Sequence, residues 1–382
     1  MAEAKNKYLS TWVEISKSAL LHNLDQFIRL AGKMAKICPI VKSNAYGHDM
    51  CQTAKTLQKR PIWGFGVVNL EEGLLLRKNG IRKPILVLGY VNGDLKEGIQ
   101  KNLAFSVYSL DLARQLNILA LKQNKKVNIH LKVDVGTSRL GILPADLKND
   151  IKEIKKLSNL RIEGIFSHLA DSENKDWSFT RKQLRLFDKI IGLAEGRDQR
   201  IPLKHIACSA AALGSSDSLY DLIRPGISLY GFWPSRACRL KASKIYPWLS
   251  LKPALSWQTK IIQIKKLPPN TNIGYGRTFK TNRTVKLAVL PVGYAEGLDR
   301  RLSNKGEVLI SGRRCPILGR VCMNMVMVDV SAVKKVRPGD KATLIGRQGR
   351  AEITAEELAA DQNTINYEVV TRINPQVKRI FL

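Results

Sequence analysis

Between Ile37 and Arg224, eight short apolar, β-rich runs alternate with helical stretches, and no other feature limits the fold as strongly. The runs are Ile37–Val41, Trp63–Val68, Ile85–Tyr90, Ala104–Tyr108, Val127–Val133, Ile162–His168, His205–Cys208 and Leu222–Arg224. Apolar residues recur at helical spacing in Leu20–Leu30, Leu110–Leu121, Ile151–Leu157 and Phe179–Leu193. Eight such repeats in about 200 residues predict an α/β fold, an N-terminal parallel (β/α)8 TIM barrel. The competing architecture is an open doubly wound sheet. No Gly-x-Gly-x-x-Gly follows the first run, and Gly64-Phe65-Gly66 falls inside a strand rather than at a strand-to-helix turn.

Near residue 245 the helical period stops. Leu255–Lys266, Thr284–Val292, Glu307–Ile310, Met325–Val330 and Lys341–Ile345 read as strands, separated by Pro268-Pro269 and several glycines. One helix is expected near Thr354–Leu358, with Thr354 as cap and Glu357 three residues later. The expected domains are a barrel over residues 1–245 and a mainly β C-terminal domain over 246–382.

With 63 Lys and Arg against 32 Asp and Glu, the formal charge is +31, which raises the question of a nucleic-acid or membrane-surface partner. The cations are spread along the chain, with no arginine-rich arm, zinc-finger spacing or aromatic RNA-reading motif. The expectation is no specific nucleic-acid function, only salt-sensitive adhesion to polyanions. Cys38, Cys51, Cys208, Cys238, Cys315 and Cys322 contain no Cys-x-x-Cys pair, so neither a disulfide framework nor a metal site is expected. Met1–Lys7 is charged and leads into no apolar signal core, and no run of about 18 apolar residues exists to span a membrane. The expected location is cytoplasmic.

A (β/α)8 barrel carries its site at the C-terminal ends of its strands. There the sequence places Lys42, then Arg139, then His168, Ser209 and Arg224. One lysine, one histidine, two arginines and small residues suit an anionic cofactor bearing an aldehyde. A lysine closing an apolar strand is partly desolvated, which lowers its pKa and frees its lone pair for Schiff-base chemistry. Taken singly, each has an ordinary explanation: a surface lysine, a satisfied buried histidine, an arginine bonding loop carbonyls. Their convergence on one rim is what gives them weight.

The segment Val41-Lys42-Ser43-Asn44-Ala45-Tyr46-Gly47-His48 resembles the cofactor-lysine motif of the alanine racemase family. Further similar segments are Lys132–Gly141, Gly164–His168, Leu222–Gly231, Gly274-Tyr275-Gly276, Pro291–Tyr294, Gly319–Met323 and Asn366-Tyr367-Glu368, so the likeness covers nearly the whole chain. The resemblance implies a pyridoxal 5'-phosphate enzyme that interconverts L- and D-alanine for peptidoglycan synthesis. It also implies a head-to-tail homodimer with shared active sites. Lys42 and, from the other subunit, Tyr275 become the two catalytic bases. Lys42, Tyr46, Arg139, His168, Ser209, Arg224, Gly226, Ile227 and Tyr367 become cofactor contacts, and Arg139 and Met323 substrate contacts. Tyr294, Arg300, Arg320 and Ile365 resemble entry-channel residues, and Lys132 matches a lysine carbamylated in some members.

The sequence departs from the family pattern at Ser43, Asp49, Thr137-Ser138 and Cys208, and at Asn324, where an aspartate is common. The nearest alternative is a racemase of broader preference, acting for example on serine. A basic-amino-acid decarboxylase of the same fold type would not need Tyr275, and a non-catalytic cofactor-binding barrel would lack the β domain.

Overall fold

The computed structural model describes residues 9–196 and 200–382. Met1–Lys7, read above as lacking a signal core, lies outside the described residues. The chain forms two compact units. The first comprises Ser18–Ala45 and Met50–Lys252; the second takes the chain up to Lys17, then Tyr46–Asp49 and Pro253–Leu382. β1 (Thr11–Ile15) belongs to the second unit, a destination its sequence does not announce.

The first unit is the barrel. Its strands are β2 (Lys36–Ile37), β3 (Phe65–Val67), β4 (Ile85–Val87), β5 (Ala104–Val107), β6 (Val127–Lys132), β7 (Leu160–Phe166), β8 (Leu203–His205) and β9 (Leu222–Ile223). Strands β3 to β8 form one parallel sheet in sequence order. β2 pairs in parallel with β9, and single bridges at Ile40–Gly66 and Cys208–Arg224 join that pair to β3 and β8. The ring is thereby closed. The first run was expected as a strand through Val41, but regular pairing stops at Ile37. Pro39 has no amide hydrogen to donate, and beyond it only Ile40 bridges across.

Each helix puts an apolar stripe on the barrel. Lys17–Ala31 buries Leu20, Leu24, Phe27 and Leu30, each worth roughly 1.5–3 kcal/mol when fully buried. Ser109 and Asn69 cap the next helices by accepting from Leu112 N and Glu72 N. The helix expected over Ile151–Leu157 runs instead over Leu147–Ile154, so Leu157 falls in the turn after it.

One irregularity matters for function. Between β6 and β7 the register shifts: Ile129 faces Ile162, but His130 faces Gly164. Glu163 is the extra residue, a β-bulge that re-aims its side chain.

The second unit is mainly β. Its largest sheet runs β16 (Arg313–Pro316), β15 (Glu307–Ile310), β18 (Lys341–Gln348), β10 (Leu255–Lys260), β1 and β20 (Lys378–Phe381), with β19 (Ala351–Ile353) paired to β18. β1 pairs antiparallel with β10 and parallel with β20. A second sheet is β11 (Gln263–Leu267), β14 (Val285–Leu290) and β17 (Val326–Asp329), and β12 (Asn272–Ile273) pairs with β13 (Phe279–Lys280). The run Leu255–Lys266, expected as one strand, is two. At Ile261–Ile262 the chain leaves one sheet for the other, the two amides bonding Asp340 O and Val289 O. The helix expected near Thr354 spans Ala355–Asp361, and Thr354 Oγ1 accepts from Glu357 N at 3.0 Å.

Candidate active site

The chain after the first barrel strand adopts an unusual backbone. Ser43, Asn44, Ala45 and Tyr46 all have φ of 53–54°, a left-handed turn with no glycine in it. Such residues cost roughly 1–2 kcal/mol each in that region, somewhat less for asparagine. The conformation therefore has to be held by its surroundings. Ala45 N donates to Val41 O at 2.8 Å, and Asn44 Oδ1 accepts from Met50 N at 3.0 Å. Lys42 begins this turn, partly buried. Burial and then the Arg139 charge lower its pKa, while Glu72 opposes them.

Around Lys42 the first unit gathers further positive groups. Lys132, 6% exposed, donates to Leu88 O at 2.9 Å. Its pKa is lowered to about 8, first by burial and then by Arg139, Arg224 and Lys42. His168 is lowered to about 3 by burial, then by Arg224, Arg139, Lys42 and Lys132. These shifts place Lys42, Lys132, Arg139, His168 and Arg224 within one another's fields. Asp134 offers little relief, because its Oδ1 is occupied by Gly136 N and Thr137 N at 2.8 and 2.9 Å. Thr137, Arg139, His168, Ser172 and Cys208 share a cavity of about 410 Å³, a size suited to a small ligand. A site of this sign favours an anion.

Arg224 is almost fully buried and anchored on every side. Its NH2 donates to Ser167 O at 2.8 Å and Ile206 O at 3.2 Å, with His168 Nδ1 at 3.5 Å. Its NH1 lies 2.6 Å from His205 Nδ1. Burial draws its pKa down to about 10, so it remains charged at neutral pH.

That last bond sets the order of a longer chain. A guanidinium can only donate, so His205 Nδ1 must accept. Burial, then Arg224 and His130, push His205 well below the ordinary imidazole pKa, so it is neutral and carries its hydrogen on Nε2. That hydrogen faces His130 Nδ1 at 2.8 Å. His130, also kept neutral by burial, then carries its hydrogen on Nε2, which stands 3.4 Å from Glu163 Oε2. The chain Arg224–His205–His130–Glu163 thus crosses the barrel interior and ends at the bulged carboxylate.

Ser209 Oγ accepts from Gly226 N at 2.8 Å and Ser228 N at 3.4 Å. This draws the loop after β8 onto the loop after β9, where Ile227 opens a 3-10 turn.

In the second unit, Tyr46 and Tyr367 come together, with ring centroids 6.1 Å apart. Tyr275 is 74% exposed. It is flanked by Gly274 and Gly276 at φ 71° and 72°, and a Cβ on Gly276 would lie 2.9 Å from the Arg320 guanidinium. Tyr294 N donates to Cys322 O at 3.1 Å, so Tyr294 adjoins the Met323 segment. Tyr275, Tyr294, Met323, Met325 and Ile365 are all exposed. Arg300, itself exposed, opens a 3-10 turn anchored by the buried Leu302. Asn324 Nδ2 donates to Glu296 Oε1 at 2.8 Å, and Glu296 Oε2 accepts from Gly293 N at 2.8 Å. An aspartate at 324 would face that carboxylate with like charge.

Sequence reasoning missed His130, His205, Glu163 and Glu72. A signal existed for His130: it precedes Lys132 by two residues, so both point to one face of β6. None existed for Glu163, because a bulge overrides the alternation of faces.

Residues 15–234 match the family description "Alanine racemase, N-terminal domain", and residues 254–381 match "Alanine racemase, C-terminal domain". The chain belongs to the alanine racemase family. An alanine racemase of Caldanaerobacter subterraneus is 41% identical over 97% of this chain and 95% of its own length. One from Methanococcus maripaludis is 38% identical over 97% and 98%. Among solved structures, the Clostridium difficile alanine racemase superposes with a TM-score of 0.91 at 34% identity, covering 98% of this chain and 96% of that one. The Bartonella henselae alanine racemase, solved with covalently bound pyridoxal phosphate, gives 0.85 at 28% identity over 98% and 100%. As an alanine racemase family member the chain is an isomerase that interconverts the enantiomers of alanine. Its barrel and β domain are those of the family. Among the described residues no helix is long and apolar enough to cross a membrane.

Proposed function

We propose that the chain racemises alanine with pyridoxal 5'-phosphate carried by Lys42, supplying D-alanine for peptidoglycan. Lys42 and Tyr275 of the partner subunit then act as bases on opposite faces of the substrate α-carbon. The observation that carries this reading is the cluster of Lys42, Lys132, Arg139, His168 and Arg224 at the ends of the barrel strands, where burial first and then positive neighbours lower Lys42, Lys132 and His168. A phosphate and a phenolic oxygen suit that donor set.

Ser209, with the Gly226 and Ile227 backbone, is suited to hold the phosphate, and Tyr46 and Tyr367 share that role by resemblance. Arg224, held by four partners and charged at neutral pH, donates toward the pyridine nitrogen and leaves it without a proton of its own. Arg139 serves the phenolic oxygen and, with the Met323 amide, the substrate carboxylate. His168, kept neutral, packs on the ring. When bound, the cofactor withdraws electrons from the α-carbon and makes its proton acidic. Lys42, whose lowered pKa favours the free amine, moves that proton on one face. A tyrosine on the other face spares the substrate from turning over.

The homodimer is supported by the exposed Tyr275, Tyr294, Met323, Met325 and Ile365, a set of large side chains that a partner would cover. A cytoplasmic setting agrees with six cysteines that are all free thiols.

The test is racemisation of L-alanine, with L-serine alongside, and the visible spectrum for wild type, Lys42→Ala and Tyr275→Phe. The expected pattern is a cofactor band lost only in Lys42→Ala and turnover lost in both variants. A wild type that shows no band with added pyridoxal phosphate overturns the proposal.

A further inference from the structure

The left-handed turn after Lys42 has a clamp that the reaction scheme does not use. Glu72 lies in the first turn of the helix Leu70–Lys78, whose cap Asn69 accepts from Glu72 N at 3.0 Å. The carboxylate reaches from this fixed base to two backbones. Its Oε1 accepts from Ser43 N at 2.6 Å, and its Oε2 accepts from Val68 N at 2.9 Å. The Asn44 amide also points its hydrogen at the carboxylate. Ser43 and Asn44 are the first two residues forced to positive φ. One side chain therefore ties the end of β3 to the start of the strained turn, immediately after the lysine.

We propose that Glu72 is the positioning residue for Lys42: by bonding the Ser43 and Asn44 amides it holds the left-handed turn that aims the amine. This rests on the reading of Lys42 as the reactive lysine. The clamp has the right chemistry. Consecutive amides in a left-handed run point their hydrogens to one side, and an anion is the strongest acceptor for them. Only a forked acceptor satisfies the turn and Val68 together. A glutamine offers one acceptor oxygen in place of two, and an alanine none.

Glu72 also acts on Lys42 through charge. It opposes the burial and the Arg139 field that lower the lysine's pKa. Its own pKa is raised by burial, against the pull of the Val68, Ser43 and Asn44 amides and of Lys42. Removing the carboxylate lets the Lys42 pKa fall further and loosens the turn at the same time. Those two effects can be measured apart from turnover.

The experiment uses the full chain freed of cofactor by hydroxylamine and dialysis, as wild type, Glu72→Gln and Glu72→Ala, with Glu71→Gln as a control for charge on the same helix. Acetic anhydride labelling of Lys42 across pH, read by peptide mass spectrometry against exposed lysines, gives the pH profile of that amine. Reloaded enzymes are then assayed for alanine racemisation, and all forms are melted. The expected result is a Lys42 profile shifted to lower pH in both Glu72 variants and unshifted in Glu71→Gln. Turnover is expected to fall at least tenfold in Glu72→Ala, and less in Glu72→Gln, which keeps one acceptor.

A lower melting temperature with an unchanged Lys42 profile assigns Glu72 to stability alone and overturns the proposal. So does wild-type turnover in Glu72→Ala. If Glu72→Ala does not fold, Glu72→Gln alone decides by the same profile. Failure of the underlying reading looks different: Lys42→Ala then keeps its cofactor band, whatever the Glu72 variants do.

Discussion

Gly164→Ala is the sharpest test of the buried chain from Arg224 to Glu163. Gly164 has an ordinary backbone conformation, so alanine fits the main chain and only space is at issue. A Cβ there would stand 2.3 Å from His130 Nδ1, 2.8 Å from His130 Cε1 and 2.9 Å from Leu203 O. Carbon contacts are comfortable at about 3.5–4.0 Å, so the imidazole has to move by about 1 Å or more. It has little room. Trp63 packs edge-on with centroids 5.6 Å apart, and the His205 ring lies at 5.1 Å. Moving His130 Nδ1 breaks the 2.8 Å bond to His205 and leaves both nitrogens buried. A buried polar group left unsatisfied costs about 1–3 kcal/mol. Overpacking adds about 1–3 kcal/mol. The sum centres on about 4 kcal/mol, and at about 2–4 °C per kcal/mol for a unit of this size the melting temperature falls by roughly 8–16 °C.

The assay is a melt of wild type, Gly164→Ala and Gly192→Ala. Gly192 lies exposed in the helix Ser178–Glu195, with nothing within 4 Å of a Cβ, so alanine there stabilises by about 0.5–1 kcal/mol. Racemisation should fall in Gly164→Ala, because Arg224 loses the ordered partner on its NH1, and stay at wild type in Gly192→Ala. Equal melting of Gly164→Ala and wild type, within about 2 °C, refutes the tight packing on which the relay depends.

Stability should also fall with acid. His130 and His205 have folded pKa values below the unfolded 6.5, so their contribution is complete above 6.5 and is lost as pH falls through that value. His205, held well below the ordinary value, adds a slope approaching about 1.4 kcal/mol per pH unit and His130 adds in the same direction, which denaturant titrations between pH 7 and 5 will show; a flat profile would mean that these imidazoles take up protons in the folded state. Asn324→Asp should lower the melting temperature by a degree or two by facing Glu296 with like charge, and adding Glu296→Gln should restore it; failure of that rescue would separate Asn324 from Glu296.

Much of the barrel was legible because its strands are buried on both faces and so read as continuous apolar runs. Lys42, Arg139, His168, Ser209 and Arg224 were legible because they follow such runs, where a barrel keeps its chemistry. What stayed hidden had non-local causes. Glu163 turns toward His130 only because β7 carries one extra residue opposite β6. Glu72 looks like an ordinary first-turn acid until the left-handed turn presents two amides to it. The end of β10 at Lys260 was invisible because Ile261 and Ile262 are as strand-like as their neighbours, and their partners part company: Asp340 just precedes β18, and Val289 lies in β14 of the other sheet. The fate of β1 depends on a strand at the far end of the chain.

That last pairing bears on how the protein is made. Trp12 pairs with Lys378, roughly 360 residues further along, and Trp12, Val13 and Ile15 are 3%, 0% and 0% exposed once the sheet is complete. On the ribosome β1 emerges first and β20 long after it. From Lys252 onward the barrel has all its own residues, while the sticky strand β1 still lacks its β20 partner. A ribosome that stalls before Lys378 therefore leaves β1 with an open edge ready to pair with another chain.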